Sequence, residues 1–338
     1  PNSAGIVAAS GGVPTICSKL MSFEYIDMAE HAIKALERLS YDNSTAILQE
    51  GAFTGLVNLL DFFDTNTQKR ILTIAAVVAR SVSSEDLVIQ YILPVLPVVS
   101  SLLQFKGVEY LPTNELALNF YGGLVESVTR LSTGDFERAK ANAQMVAENG
   151  LLQNLVELLP NMPHNQGSIL DILSSLCSMS PQIVLSFHNL GATSVIKEGL
   201  EQSKSESTKF IEALQLVDSM IPNKNTQSEL DTELIQIYKE MPELLRSLGE
   251  MVFPKIIALY EKVVNKGLRN LVLKVLEKLI EHSERDLVVS YTTPGHFSTF
   301  LSELLSCKDI EAVKSALSIV NSLYEKIPKH IATNLVRE

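Results

Sequence analysis

Apolar residues recur along this chain at the three-and-four spacing of an α-helix. Ile26, Ala29, Ile33, Leu36 and Leu39 fall on one helical stripe, and Asp27, Glu30, Lys34 and Glu37 on another. Residues 68–80 read differently, because beyond the first three only Thr73 and Arg80 are polar. A helix so nearly apolar all round needs neighbours on both sides. Residues 114–130 return to the amphipathic form, with Glu115, Asn119, Glu126 and Arg130 on the polar side. Further amphipathic helices are predicted over 169–177, 210–220, 268–280 and 310–324. Pro160, Pro163, Pro181, Pro222, Pro242, Pro254, Pro294 and Pro328 are expected at element boundaries, since proline cannot donate to a helix ladder.

A longer period overlies the helical one. GGVPTICSKL from Gly11, GAFTGLVNLL from Gly51, GLLQNLVELL from Gly150 and GATSVIKEGL from Gly191 each start with glycine and run into an apolar helix. The first two start 40 residues apart (51 − 11) and the last two 41 (191 − 150), which is the armadillo/HEAT spacing. Glycine is needed because the chain must turn there through the left-handed region. No unit can bury its own apolar face, so neighbours must stack. The expected fold is therefore all-α, an armadillo/HEAT-like right-handed helical solenoid forming one continuous array over residues 1–338. It should be regular over 1–222, irregular over 223–250, and helical again over 251–338. The polar stretch 201–209 reads as an exposed loop, residues 223–231 as the break, and Asn43-Ser44-Thr45 as a loop and cap for the helix that follows.

Composition narrows the class. Leu, Ile, Val and Ala dominate an apolar fraction of 46%, while Trp is absent, which suits helix packing better than a β-sandwich. Acidic residues outnumber basic ones by 39 to 28, a formal charge of −11 that opposes a phosphate backbone. Nucleic acid and anionic membrane are thus poor partners, and a basic protein surface is a better one. The longest apolar run, residues 91–99, holds Pro94 and Pro97 and is too short to span a bilayer, which needs about 20 residues. Cys17, Cys177 and Cys307 lie far apart, as in a reduced, intracellular protein. The chain opens at Pro1 without a leader pattern or initiator Met, so it reads as a processed product or a fragment.

The sequence carries few residues in catalytic or ligand-binding arrangements. Cys177 and His188 sit on consecutive predicted helices, but a free cysteine is far more often a small core residue than a nucleophile. No histidine pair has metal-ligand spacing, and Gly11-Gly12 and Gly122-Gly123 lack the Lys and Ser/Thr of a phosphate loop. Inside a helical pattern, Gly122 and Gly123 instead predict a kink or the close approach of a neighbour. No enzyme, cofactor or metal is expected.

MSFEYIDMAE from Met21, AIKALERLS from Ala32, ILQEGA from Ile47 and DFFDTNTQKR from Asp61 together resemble the armadillo-like region of a HECT ubiquitin ligase family. These are the ubiquitin-fusion-degradation ligases, with the thyroid-receptor-interacting ligase of animals and the trichome ligase of plants. The resemblance implies a non-catalytic arm that binds substrate proteins and ubiquitin or ubiquitin chains. A conjugating enzyme would be met only through a catalytic domain elsewhere, and the setting would be cytoplasmic and/or nuclear. A stand-alone scaffold for trafficking or cytoskeletal partners is the alternative. The expected contact surface is the exposed polar side of the third helix of each unit: Lys34, Glu37, Lys69, Thr73, Arg80, Glu115, Asn119, Glu126 and Arg130.

Overall fold

The computed structural model describes residues 6–7, 10–20, 26–201, 208–223, 228–293 and 295–328. Residues 21–25, most of the polar stretch 201–209, residues 224–227 of the expected break and Pro294 lie outside them. Among the described residues every regular element is a helix. The chain divides into two compact units, residues 1–180 and 181–338.

In the first unit, α1 (Gly12–Leu20) and α2 (Ile26–Gln49) are followed by α3 (Ala52–Asn58), α4 (Thr65–Arg80), α5 (Leu96–Leu102), α6 (Leu111–Leu131), α7 (Phe136–Ala147), α8 (Leu151–Leu158) and α9 (Gln166–Cys177). The second unit holds α10 (Pro181–Asn189), α11 (Ala192–Glu201), α12 (Thr208–Met220), α13 (Glu229–Glu240), α14 (Pro242–Lys262), α15 (Lys266–His282), α16 (Arg285–Thr292), α17 (Gly295–Ser306) and α18 (Ile310–Lys326). Within each unit the helices run in triplets. The third helices pack in order, α2 on α4, α4 on α6 and α6 on α9 in one unit, and α12 on α15 and α15 on α18 in the other. The nearly apolar α4 has a neighbour on each side, as its sequence demands. Gly11, Gly51, Gly150 and Gly191 all take positive φ, between 71° and 92°, each just ahead of a second helix.

Polar side chains stitch one helix of a triplet to the next. Near the start of a third helix, an amide or guanidinium donates to carbonyls left open where the preceding helix ends. Gln68 Nε2 reaches the Leu60 and Phe63 oxygens at 3.2 and 3.1 Å, Asn114 Nδ2 reaches Phe105 at 3.0 Å, and Gln166 Nε2 reaches Leu159 at 2.9 Å. In the second unit Arg269 Nε does the same for Val263 at 2.6 Å. At the other end, a cation on one third helix caps the C-terminus of the third helix before it, where the helix dipole favours positive charge. Arg130 Nη2 donates to the Val82 oxygen at 2.9 Å. Lys278 Nζ donates to Asp218 and Ile221 at 2.7 and 2.9 Å. Lys326 Nζ donates to Ile280, Glu281 and Ser283 at 2.7, 2.6 and 2.6 Å.

The stretch 223–250, expected to be irregular within the array, holds α13 and the first part of α14, with Pro242 in the first turn of α14, where its missing N–H breaks no ladder bond. Two local expectations need correcting. Pro254 does not end a helix but lies inside α14. It leaves the Glu250 carbonyl without its usual donor, and the Tyr291 hydroxyl of α16 donates to that oxygen at 3.4 Å. The Asn43-Ser44-Thr45 loop shrinks to a kink at Asn43 (φ −135°, ψ 31°) within α2. Its side chain caps backward, onto the Leu39 oxygen at 3.3 Å, and not forward.

Residues 85–102 are apolar and long enough to pass for a membrane span by composition. They are instead cut into a turn at Glu85–Leu87, a wide π-type turn at Val88–Ile92, a tight turn at Leu93–Val95 and then α5. Val88, Ile92, Val95, Leu96 and Val99 are buried in the core of the first unit.

Candidate partner-binding site

The third helices of the first unit expose a row of polar side chains, and the packing gathers them into two clefts. The first, of about 410 Å³, lies between α2 and α4 and is lined by Glu30, Lys34, Glu37, Asp64, Asn66, Thr67, Lys69, Arg70 and Thr73. Arg70 forms an ion pair with Glu37, tying α4 to α2. Asp64 caps α4 by accepting from the Thr67 N–H at 2.8 Å. That bond and the Thr67 hydroxyl hold its carboxyl below the usual range, with a smaller contribution from Lys34. Three carboxylates face three cations here, so the cleft is charge-balanced.

The second cleft, of about 440 Å³, lies between α6 and α9 with Arg80 of α4 at its rim. Leu118, Val125 and Ile172 form its floor, and Asn119, Gly122, Glu126, Thr129, Ser168, Asp171 and Ser175 line its walls. Arg80 Nε meets Glu126 Oε2 at 3.0 Å. Asp171 is pushed above the usual carboxylate range, by enclosure first and by the nearby Glu126 charge second. Two carboxylates face one arginine, so this cleft carries an excess negative charge.

Seven of the nine residues expected from sequence fall in these clefts: Lys34, Glu37, Lys69 and Thr73 in the first, Arg80, Asn119 and Glu126 in the second. Glu115 is exposed on α6 but lines neither. Arg130 is exposed, yet its guanidinium is engaged in capping α4. Sequence reasoning missed Arg70 and Asp171. The three-and-four spacing of Ser168, Asp171 and Ser175 along α9 was the available signal for the latter.

The second unit has its own shallow groove between α11 and α14, lined by Thr193, Ser194, Lys197, Ser247, Glu250, Met251, Pro254 and Lys255. The thiol chemistry considered from sequence finds no support. Cys177 is fully buried and burial pushes its thiol far up. His188 Nε2 lies 3.1 Å from the Tyr238 hydroxyl, and burial holds its pKa down at about 4. Among the described residues no group of His, Cys, Asp and Glu has the arrangement of a metal site.

Residues 1–49 match a family described as E3 ubiquitin-protein ligase TRIP12-like, TPR repeats. Across its full length the chain is 23% identical to the E3 ubiquitin-protein ligase UPL3 of Arabidopsis thaliana, covering 20% of that protein. It is 22% identical to the E3 ubiquitin-protein ligase TRIP12 of Danio rerio, covering 100% of this chain and 20% of that one. A probable ubiquitin fusion degradation protein of Schizosaccharomyces pombe is 25% identical over 98% of this chain and 20% of its own length. The chain thus spans about a fifth of the length of these relatives. Among solved structures, a computationally designed armadillo repeat protein for modular peptide recognition superposes with a TM-score of 0.59 and 15% identity, over 80% of this chain and 99% of that one. A designed armadillo repeat protein in complex with the peptide (KR)4 gives 0.54 at 14% identity, over 92% and 98%. The fold is therefore that of armadillo-repeat solenoids, and by sequence the relatives of this chain are E3 ubiquitin-protein ligases and proteins of ubiquitin fusion degradation.

Proposed function

We propose that this chain is the non-catalytic arm of a HECT-type ubiquitin ligase, holding substrate proteins and ubiquitin or ubiquitin chains in the cytoplasm or nucleus. The observation that carries the reading is similarity along almost the entire chain to ligases of which it spans only a fifth. The transfer chemistry, and the meeting with a conjugating enzyme, then belong to another part of a longer polypeptide. Two features support a polypeptide ligand. The third helices line clefts with charged side chains, and armadillo proteins of the same fold are described as recognising peptides. The acidic balance of the chain suits a ligand face with basic residues.

Titrating the chain into isotope-labelled ubiquitin and linked di-ubiquitins, and using it to retain conjugates from lysate, tests the reading. Chemical-shift changes on ubiquitin, together with retained conjugates, are expected. No shifts and no conjugates would sink it. An immunoblot for this segment should detect a polypeptide several times larger than the chain. A band at the chain's own mass would favour a stand-alone scaffold.

A further inference from the structure

We infer that the outer face of α18 is a seam on which a further helical repeat of a longer polypeptide packs, as α18 itself packs on α15. That polypeptide is the one the ligase-arm reading calls for, and this step rests on that reading.

α15 and α18 are each 17 residues long and each starts from a side-chain cap. Asn265 accepts from the Leu268 N–H at 3.1 Å, and Asp309 from the Glu311 N–H at 3.1 Å. The caps set the two helices in a register of 44 residues (309 − 265). In that register the inner faces match. Leu268, Val272, Val275 and Leu279 of α15 correspond to Ala312, Ala316, Ile319 and Leu323 of α18, and all are buried. The outer faces do not match. Leu273 and Ile280 are fully buried, whereas their counterparts Leu317 and Tyr324 are 56% and 63% exposed. Buried Leu276 likewise corresponds to half-buried Val320. With Ile310, 69% exposed, and half-buried Val313, these residues form one apolar stripe at alternating three-and-four spacing.

The two helices are alike in chemistry and differ in what covers them. α18 lies against α15, and among the described residues no helix follows α18. A terminal helix of a repeat array needs a polar outer face to stay soluble. That of α18 is apolar, the composition of an interior helix, and a contiguous apolar patch in water marks a contact surface. The register also continues in the sequence. Leu287, Val288 and Tyr291 of α16 return 44 positions later as Ile331, Ala332 and Leu335, so the apolar pattern that opens a repeat recurs after α18. Relatives about five times the length of this chain have room for such a repeat. A second copy of the chain would bury the same stripe, but a symmetric pairing of two α18 faces gives no reason for that recurrence.

Thiol labelling with peptide mass mapping tests the seam, using Leu317→Cys in this chain and in the native polypeptide that carries it. Urea-unfolded samples supply the reference rate. The new thiol should label fast in the isolated chain and about tenfold or more slowly in the native polypeptide. Hydrogen exchange on unaltered α18 in the same two settings reads the contact without any substitution, and should also be slower in the native polypeptide. Equal rates in the two settings, by both methods, would refute the seam. A native polypeptide that is protected there but dimeric, and that Leu317→Lys with Tyr324→Lys renders monomeric in sedimentation, would make a second copy the occupant and overturn the further repeat. A native polypeptide no longer than this chain would sink this step and the ligase-arm reading together. A longer one with Leu317→Cys open to reagent and α18 unprotected would sink this step alone.

Discussion

Gly122 and Gly123 are adjacent in α6, yet replacing each by alanine should move stability in different directions. A glycine inside a helix is disfavoured relative to alanine by about 1 kcal/mol, so both substitutions gain that much from the helix itself. At Gly122 the new Cβ meets nothing within 4 Å, and the gain stands alone. At Gly123 the new Cβ would sit 3.0 Å from the Ala76 carbonyl oxygen, 3.1 Å from Arg80 Cβ and 3.2 Å from Arg80 N. Those atoms belong to the backbone and first side-chain carbon of α4, so no rotamer change can move them aside. Forcing α4 and α6 apart costs about 1–3 kcal/mol, the usual range for overpacking. Gly122→Ala should therefore stabilise the first unit by about 1 kcal/mol. Gly123→Ala should destabilise it by up to about 2 kcal/mol. The gap between the two variants isolates the helix contact, because the propensity gain cancels. Guanidinium unfolding followed by far-UV circular dichroism measures the gap. Hydrogen exchange on peptides from α4 and α6 assigns the transition to the first unit. Equal midpoints for the two variants would refute the close α4–α6 contact.

Other consequences can be checked in the same way. The neutral His188 imidazole should make the second unit sensitive to acid: an unfolded histidine takes its proton near 6.5, whereas burial delays this to about 4 in the folded chain. Stability is then lost as pH falls from 6.5 to about 4, by roughly 3 kcal/mol at 1.36 kcal/mol per pH unit, and His188→Phe should flatten that slope in denaturant midpoints taken across the range. Lys278 is buried, pairs with Asp218 at 2.7 Å and caps α12, so Lys278→Met should cost about 3 kcal/mol in thermal or chemical unfolding. A loss below about 1 kcal/mol would mean that the cap matters little. Cys307 is exposed whereas Cys17 and Cys177 are buried, with the Cys17 thiol pushed up to about 11 by burial and then by Glu50. A thiol reagent should label Cys307 quickly in the native chain and reach Cys177 only on unfolding, a difference that peptide mass mapping resolves.

The helices over 26–39, 68–80 and 114–130, and the glycine turns at Gly51, Gly150 and Gly191, were legible because their causes are local. A three-and-four apolar stripe and a left-handed turn are properties of a few consecutive residues. The candidate surface was partly legible for the same reason: polar positions on a third helix face outward wherever the apolar stripe faces inward. Which of them meet was not. Glu126 and Asp171 are 45 positions apart (171 − 126), and only the packing of α6 against α9 sets one carboxylate in the field of the other. Arg130 carries the same charge as Arg80 and looks equally available in sequence, but its guanidinium is engaged at the end of α4.

Sequence by itself determined an all-helical repeat chain with its punctuation and its acidic balance, since propensity, period and charge are additive along the chain. Tertiary structure alone decided three further things: the surplus carboxylate of one cleft, the engagement of Arg130, Lys278 and Lys326 as caps, and the continuity of α14 through Pro254. Each depends on a hydrogen bond or a field between residues distant in sequence, as when Tyr291 takes up the Glu250 carbonyl that Pro254 leaves open. Such pairings are set by how helices stack, and a local pattern of residues holds no record of them.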